Sequence, residues 1–254
     1  MTARTVLVTA GGSGIGRGIA EAFQVNGDRV HICDISRDVL DVTLAENPGM
    51  RGSVADVSDI DALERLIEDV KSWGGPVDVL VNNAGIAGPI ALAEDVSTEE
   101  WDRTINVNLN SMFYLVRLVL PEMKQRKIGC IINISSCSAR VGMTRRLPYV
   151  ASKVGVLGFN YALAREVGAY GVRVNAILPG AVYGDRCKTL LAHFAKENSL
   201  AEQEAEKEFL RYTSMKTWIQ PSEIGSTAVF LASDSARHIT GQELSVDGLI
   251  EWEE

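Results

Sequence analysis

The feature that most restricts how this chain can fold is an alternation. Short apolar runs rich in β-branched residues recur at Thr5 to Thr9, Arg29 to Asp34, Val77 to Val81, Cys130 to Ser135 and Val172 to Leu178, and each is followed by a stretch with helical spacing. A chain that repeats strand and helix in this way builds βαβ units around a parallel sheet. Runs such as Ile131-Ile132-Asn133 and Val79-Leu80-Val81 carry little polar alternation, as strands covered by helices on both faces do. Weaker strands are predicted near Met50 to Val54 and at Glu243 to Val246. The expected fold class is α/β: a doubly wound, seven-stranded, mostly parallel sheet with helices on both faces.

Helices are predicted at Gly14 to Gln24, Val39 to Glu46, Ile60 to Ser72, Glu99 to Lys124, Tyr149 to Ala169 and Pro221 to Leu231. Ser58 ahead of Asp61, and Ser97-Thr98 ahead of Glu100, supply cap signals. Gly74-Gly75-Pro76 stops a helix, and Pro221 suits a first turn. The segment 185–219 breaks the rhythm. It is polar, helical in composition and interrupted at Asn198-Ser199, which predicts an insertion of one or two helices within a single domain spanning 1–254. A hydrophobic content of 46% in 254 residues is enough for one large core.

A formal net charge of −8 argues against nucleic acid or an anionic membrane as partner and leaves a small molecule. No apolar run approaches the ~20 residues that span a bilayer. Cys33, Cys130, Cys137 and Cys187 show no CxxC spacing, and the opening MTARTVLVTA has no targeting pattern, so a reduced, cytoplasmic setting is expected. His31, His193 and His238 share no ligand spacing with the cysteines, and no catalytic metal is expected.

The first strand runs into Thr9-Ala10-Gly11-Gly12-Ser13-Gly14-Ile15-Gly16 and then a helix. Missing side chains at a sharp turn let backbone touch a pyrophosphate, and the helix N-terminus offers it unpaired N–H groups. GxGxxG spacing itself is absent. The second strand ends at Asp34, about 20 residues on, where a carboxylate accepts bonds from adenosine ribose hydroxyls and repels a 2′-phosphate. NAD is therefore expected over NADP, with Arg37 close enough to soften the preference.

Tyr149 and Lys153 stand four apart in a helical stretch, on one face. An ammonium beside a phenol favours the phenolate, which suits the pair to exchanging a proton with a substrate oxygen. A surface i,i+4 pair would look the same in sequence, so the surroundings decide.

Those surroundings resemble the classical short-chain dehydrogenase/reductase family over essentially the whole chain. Thr9 to Gly16 is similar to its phosphate turn, Asp56-Val57 to its adenine-contacting aspartate and neighbour, and Asn82-Asn83-Ala84-Gly85 to its NNAG element. Asn108 follows Trp101, and Ser136 precedes Tyr149, at the family's spacings. Pro179-Gly180 and Leu244 to Gly248 match its nicotinamide-side turn and closing strand. The resemblance implies a Rossmann fold. It also implies hydride exchange between NAD and an alcohol or carbonyl, with Tyr149 as general acid/base and Ser136 polarising the substrate oxygen. Lys153 would hold ribose and lower the tyrosine's pKa, and Asn108 would support a proton relay. Cofactor contacts are implied at Gly11, Ser13, Gly14, Ile15, Gly16, Asp34, Ile35, Asp56, Val57, Asn83, Ala84, Gly85, Tyr149, Lys153, Pro179, Gly180 and Val182.

Two positions depart from the family's pattern. Ala10 replaces the first glycine of the turn, which is tolerated if its φ is negative. The threonine often found after Pro-Gly is absent from Ala181-Val182-Tyr183-Gly184-Asp185, leaving backbone near Val182 for the carboxamide.

Arg145 and Arg146 before Tyr149, with Arg186 and Lys188 opening the variable segment, suggest an anionic substrate such as a hydroxy acid or hydroxysulfonate. Tyr183 would stand among them. Alternatives are a 3-oxoacyl-carrier-protein reductase, against which Glu197, Glu202, Glu204, Glu206 and Glu208 speak, and a neutral sugar or polyol dehydrogenase. A non-catalytic NAD-binding regulator would be expected to have lost one of the four catalytic positions. The resemblance further implies a homotetramer. Phe113, Val116, Leu120, Phe159 and Leu163 are available for contact, and Trp252 is available to reach a neighbour.

Overall fold

Alternate residues of one strand point to opposite faces, so a strand that is apolar throughout must be covered twice. The computed structural model, which describes residues 3–250 apart from the side chain of Arg186, shows this arrangement. The elements run β1 (Thr5–Thr9), α1 (Gly14–Val25), β2 (Arg29–Asp34), α2 (Arg37–Glu46), β3 (Arg51–Val54), α3 (Ile60–Gly74), β4 (Val79–Asn82), α4 (Thr98–Ile105), α5 (Ser111–Arg126), β5 (Gly129–Ile134) and α6 (Ser138–Val141). They continue with α7 (Leu147–Val167), β6 (Val172–Pro179), α8 (Asp185–Asn198), α9 (Glu202–Leu210), α10 (Pro221–Ala232) and β7 (Glu243–Val246). The seven strands lie in the order β3-β2-β1-β4-β5-β6-β7, and every pairing among them is parallel. This is a Rossmann-type sheet.

Leu7, Leu80, Ile131 and Val174 pack beneath α3, α5 and α7, against Leu66, Leu115 and Val167 among others. Val6, Val8, Ile32 and Val81 face α1, α2 and α10, against Ile19, Leu40 and Ile224. The strand order reverses between β1 and β4. A crevice therefore opens where their carboxyl ends diverge, which is where such sheets bind ligands.

Three local expectations change. The cap of α3 is Asp59, whose carboxylate accepts from the N–H groups of Asp61 and Ala62; the hydroxyl of Ser58 instead donates to Asp56 at 2.7 Å. Ser97 and Glu100 do form a capping box at α4. The single helix predicted from Glu99 to Lys124 is interrupted by a π-turn at Asn106–Asn110, and such turns often mark functional positions. Among the residues offered for subunit contact, Val116, Leu120 and Leu163 are spent on the sheet, whereas Phe113 remains 51% exposed.

The variable segment forms α8 and α9, parted at Ser199 with φ 54°. Phe194, Phe209 and Trp218 join the pair by ring contacts of 6.1 and 5.6 Å, and Tyr183 meets Trp218 edge-on at 6.4 Å. His31 is buried between Ser53 and Trp73, and burial lowers its pKa to about 4. No described helix is long and apolar enough to cross a membrane. Trp252 lies outside the described residues.

Candidate active site

The glycine turn between β1 and α1 is braced from β4. The side-chain amide of Asn83 donates to the carbonyls of Thr9 and Ala10 at 2.9 and 3.2 Å, and the backbone N–H groups of Asn83 and Ala84 both donate to the Thr9 hydroxyl. Asn83 thus shapes the turn with the very donors expected to serve a ligand. A Cβ at Gly16 would lie 2.1 Å from the Ala10 carbonyl oxygen, so only glycine permits this closure. Ser13 caps α1 without a side-chain bond, which leaves the first-turn N–H groups to another acceptor.

Ala10 corrects the sequence reading, for its φ is +49°. A non-glycine residue in that region costs roughly 1 kcal/mol. Ala10→Gly is therefore expected to stabilise the protein by about 0.5–1 kcal/mol, read as a higher denaturant midpoint at unchanged slope. A lower midpoint would mean that the methyl's packing outweighs the strain.

Asp34 closes β2 with both oxygens fixed: Gly12 N–H donates to one at 3.2 Å and Ser36 N–H to the other at 3.1 Å. Ile35 beside it is exposed. Asp56 accepts from the N–H and hydroxyl of Ser58, and Val57 is buried. These positions line the carboxyl ends of β2 and β3.

Asn108, Tyr149 and Lys153 converge at the ends of β4 and β5. Lys153 is 4% exposed, and its ammonium donates to the Ile134 carbonyl at 2.9 Å. The π-turn swings Asn108 inward, where its amide donates to the Ile86 carbonyl and to the Ser152 hydroxyl, both at 3.0 Å, and accepts from Ile86 N–H at 2.7 Å. The Ser152 hydroxyl donates in turn to the Tyr149 carbonyl. A Cβ on Gly85 would stand 3.4 Å from both the Asn108 Oδ1 and the Lys153 Nζ, so Gly85 is where the two side chains meet. Ser135 donates to the Lys153 carbonyl at 2.8 Å, and the hydroxyl of Ser136, half-buried, accepts from Ser138 N–H at 3.2 Å. Burial pushes the pKa of the neighbouring Cys137 thiol up to about 11, which disfavours its thiolate. Its N–H reaches the Pro179 carbonyl and joins the ends of β5 and β6.

Comparison with known proteins decides what this arrangement belongs to. A family model described as enoyl-(acyl carrier protein) reductase matches residues 9–248. The 3-oxoacyl-[acyl-carrier-protein] reductase of Chlamydia trachomatis is 37% identical over 250 residues, 96% of each chain. This chain is a classical short-chain dehydrogenase/reductase. The D-beta-hydroxybutyrate dehydrogenase of Cupriavidus necator is 35% identical over 98% of each chain. A crystal structure of an actinorhodin polyketide ketoreductase variant with NADPH covers 97% of this chain and is itself covered to 96%, with a TM-score of 0.93 and 33% identity.

Short-chain dehydrogenases/reductases bind a nicotinamide cofactor, and the residues here fit one. The uncapped start of α1 suits a pyrophosphate, space for it is open beside Gly14, where an added Cβ would meet nothing within 4 Å, and Asp34 stands ready for a ribose. When bound, that group supplies a carbon able to give or take hydride.

Of the four cations expected to meet a substrate, three have described side chains, and each of these meets a protein group. Arg145, at φ 61°, pairs with Glu197 of α8 at 3.5 Å, and Glu197 also faces His193 at 3.4 Å. Arg146 is turned inward, 5% exposed, donating to the Ala87 carbonyl at 3.0 Å and lying 5.1 Å from the centre of the Tyr149 ring. Lys188 pairs with Asp185 and stands 5.2 Å over Tyr183. The side chain of Arg186 lies outside the described part. Pro179 ends β6, Gly180 bonds the Val246 carbonyl, and Val182 is bridged to Ile219. Sequence reasoning missed Ser135 and Ser152, and of these only Ser135 carried a signal, the doubled serine before Cys137.

Proposed function

We propose that this short-chain dehydrogenase interconverts a secondary alcohol and a ketone, or an alcohol and an aldehyde, with NAD as its preferred cofactor. The observation that carries the reading is that Lys153 meets Asn108 beside Gly85 and stands 5.8 Å from the centre of the Tyr149 ring. In reduction the Tyr149 hydroxyl gives its proton to the carbonyl oxygen, and in oxidation it takes the proton back. Ser136 donates a hydrogen bond to the same oxygen and stabilises charge that develops on it. Lys153 supplies a fixed cation beside the phenol and would hold the nicotinamide ribose. Asn108 supports the relay that returns protons to Tyr149. The remaining cofactor contacts are those expected at Gly11, Ser13 to Gly16, Asp34-Ile35, Asp56-Val57, Asn83 to Gly85, Pro179-Gly180 and Val182.

NAD is favoured because Asp34 is anchored with its charge at the end of β2. Asp34→Asn keeps an acceptor and removes the charge, and it is expected to lower the ratio of kcat/KM with NAD to that with NADP by about tenfold or more. An unchanged ratio would refute the ribose assignment.

The described cations beside the site are held by protein partners, which supports an uncharged alcohol over a small hydroxy acid or hydroxysulfonate. A second reading, reduction of 3-oxoacyl groups on an acidic carrier, is favoured by the names of several relatives. It is opposed by the acidic residues of α8 and α9. Acceptance of an acetoacetyl thioester with NADPH, in preference to any free alcohol with NAD, would decide for it.

A further inference from the structure

We propose that Arg146 is a positioning residue for Tyr149, whose guanidinium holds the phenol ring and favours its anionic form. The proposal rests on the catalytic role given to Tyr149 above, but not on the identity of the substrate.

An arginine is almost never fully buried unless it is engaged, and Arg146 is 5% exposed on the turn preceding Tyr149. Its Nη2 donates to the Ala87 carbonyl, which fastens the loop after β4 to the start of α7. Its central carbon lies 5.1 Å from the Tyr149 ring centre, within the range of a cation–π contact. Lys153 Nζ stands 5.8 Å from the same centre. One phenol thus has a cation from the turn before it and another from the turn after it. The two are not equivalent, because a guanidinium keeps its charge at every pH the protein tolerates, whereas an ammonium can lose it.

The other titratable groups around this centre do not cancel that charge. Cys137 stays neutral, Arg145 and Glu197 neutralise each other, and Asp247 lies on the side of Cys137. The loop from Asn83 to Leu92 contains no charged residue. An arginine that looked in sequence like a substrate anchor is thereby assigned to the tyrosine.

The test is a titration of tyrosinate absorbance, taken for each protein as the difference from its counterpart carrying Tyr149→Phe. Arg146→Gln keeps a donor for Ala87 and removes the charge, so its Tyr149 midpoint is expected about 1 to 2 pH units above the parent's. Arg146→Lys is expected to stay close to the parent, and Arg146→Met, where it folds, to follow the glutamine variant. In alcohol oxidation, where Tyr149 must take up a proton, the glutamine variant loses about tenfold in kcat at neutral pH, recovers as pH rises and keeps its KM. A midpoint that does not move in Arg146→Gln, or an equal kcat loss at every pH, would overturn the proposal and leave Arg146 as a loop tether. The absorbance titration needs no substrate, so a parent without turnover on any alcohol would count against the proposed function and not against Arg146.

Discussion

Tyr149→Phe is expected to lower kcat by about 10²- to 10⁴-fold while leaving reduced nicotinamide bound within about twofold of the parent's Kd. The substitution removes one oxygen and nothing else. The ring keeps its contacts with Arg146 and Lys153, since both are with the ring and not with its oxygen. The bond from Ser152 goes to the Tyr149 backbone carbonyl and is also retained. What is lost is the hydroxyl of the ring that Arg146 and Lys153 both approach, so the substrate oxygen has no general acid in reduction and no general base in oxidation. Kinetics with any accepted alcohol, together with fluorescence titration of the reduced cofactor, checks both halves. A kcat within tenfold of the parent would mean that Ser136 or water carries the proton and that the cluster around Gly85 has been misassigned.

Asn108→Leu is expected to cost about 2–5 kcal/mol of stability in addition to activity. Asn108 is fully buried and satisfies both backbone groups of Ile86, one as donor and one as acceptor, as well as the Ser152 hydroxyl. Each buried polar group left without a partner costs about 1–3 kcal/mol, and leucine offers none of the three bonds. The π-turn would lose the contacts that hold it open towards the site. A chain of this length would melt about 5–15 °C lower, measurable by calorimetry with and without cofactor. An unchanged melting temperature with lost activity would show that water takes over the bonds to Ile86, and that Asn108 serves the relay alone.

The sheet was legible because its strands are apolar throughout and spaced by helices, so five of seven could be read from Thr5, Arg29, Val77, Cys130 and Val172 onward. The weaker two at Arg51–Val54 and Glu243–Val246 sit at the sheet's edges, where half-exposed residues blur the pattern. The break at Asn106–Asn110 was hidden because a π-turn adds one residue to a helix without disturbing its composition. Asn108 is one of three amides in Asn106-Val107-Asn108-Leu109-Asn110, and nothing in that run marks which one turns inward. The α3 cap was missed by one residue because Ser58 and Asp59 are both good caps, and the nearby Asp56 carboxylate claims the serine. Ala10 was legible as a departure but not in its conformation, which sits in a turn that Asn83, just beyond β4, holds through the carbonyls of Thr9 and Ala10. The arginines show the limit most clearly. Loops have no period, so nothing in Arg145-Arg146 reveals that one faces Glu197 and the other turns under Tyr149.

The most direct test of the account is absorbance at the reduced-nicotinamide band. Purified protein is offered NAD or NADP with secondary alcohols, polyols, hydroxy acids and hydroxysulfonates, and the reduced cofactors with ketones and an acetoacetyl thioester. The account predicts substrate-dependent cofactor turnover, faster with NAD and an uncharged alcohol, that disappears in Tyr149→Phe. Reduced nicotinamide that binds tightly yet is never turned over, in either direction and with either cofactor, would contradict it and leave the protein as a cofactor-binding regulator.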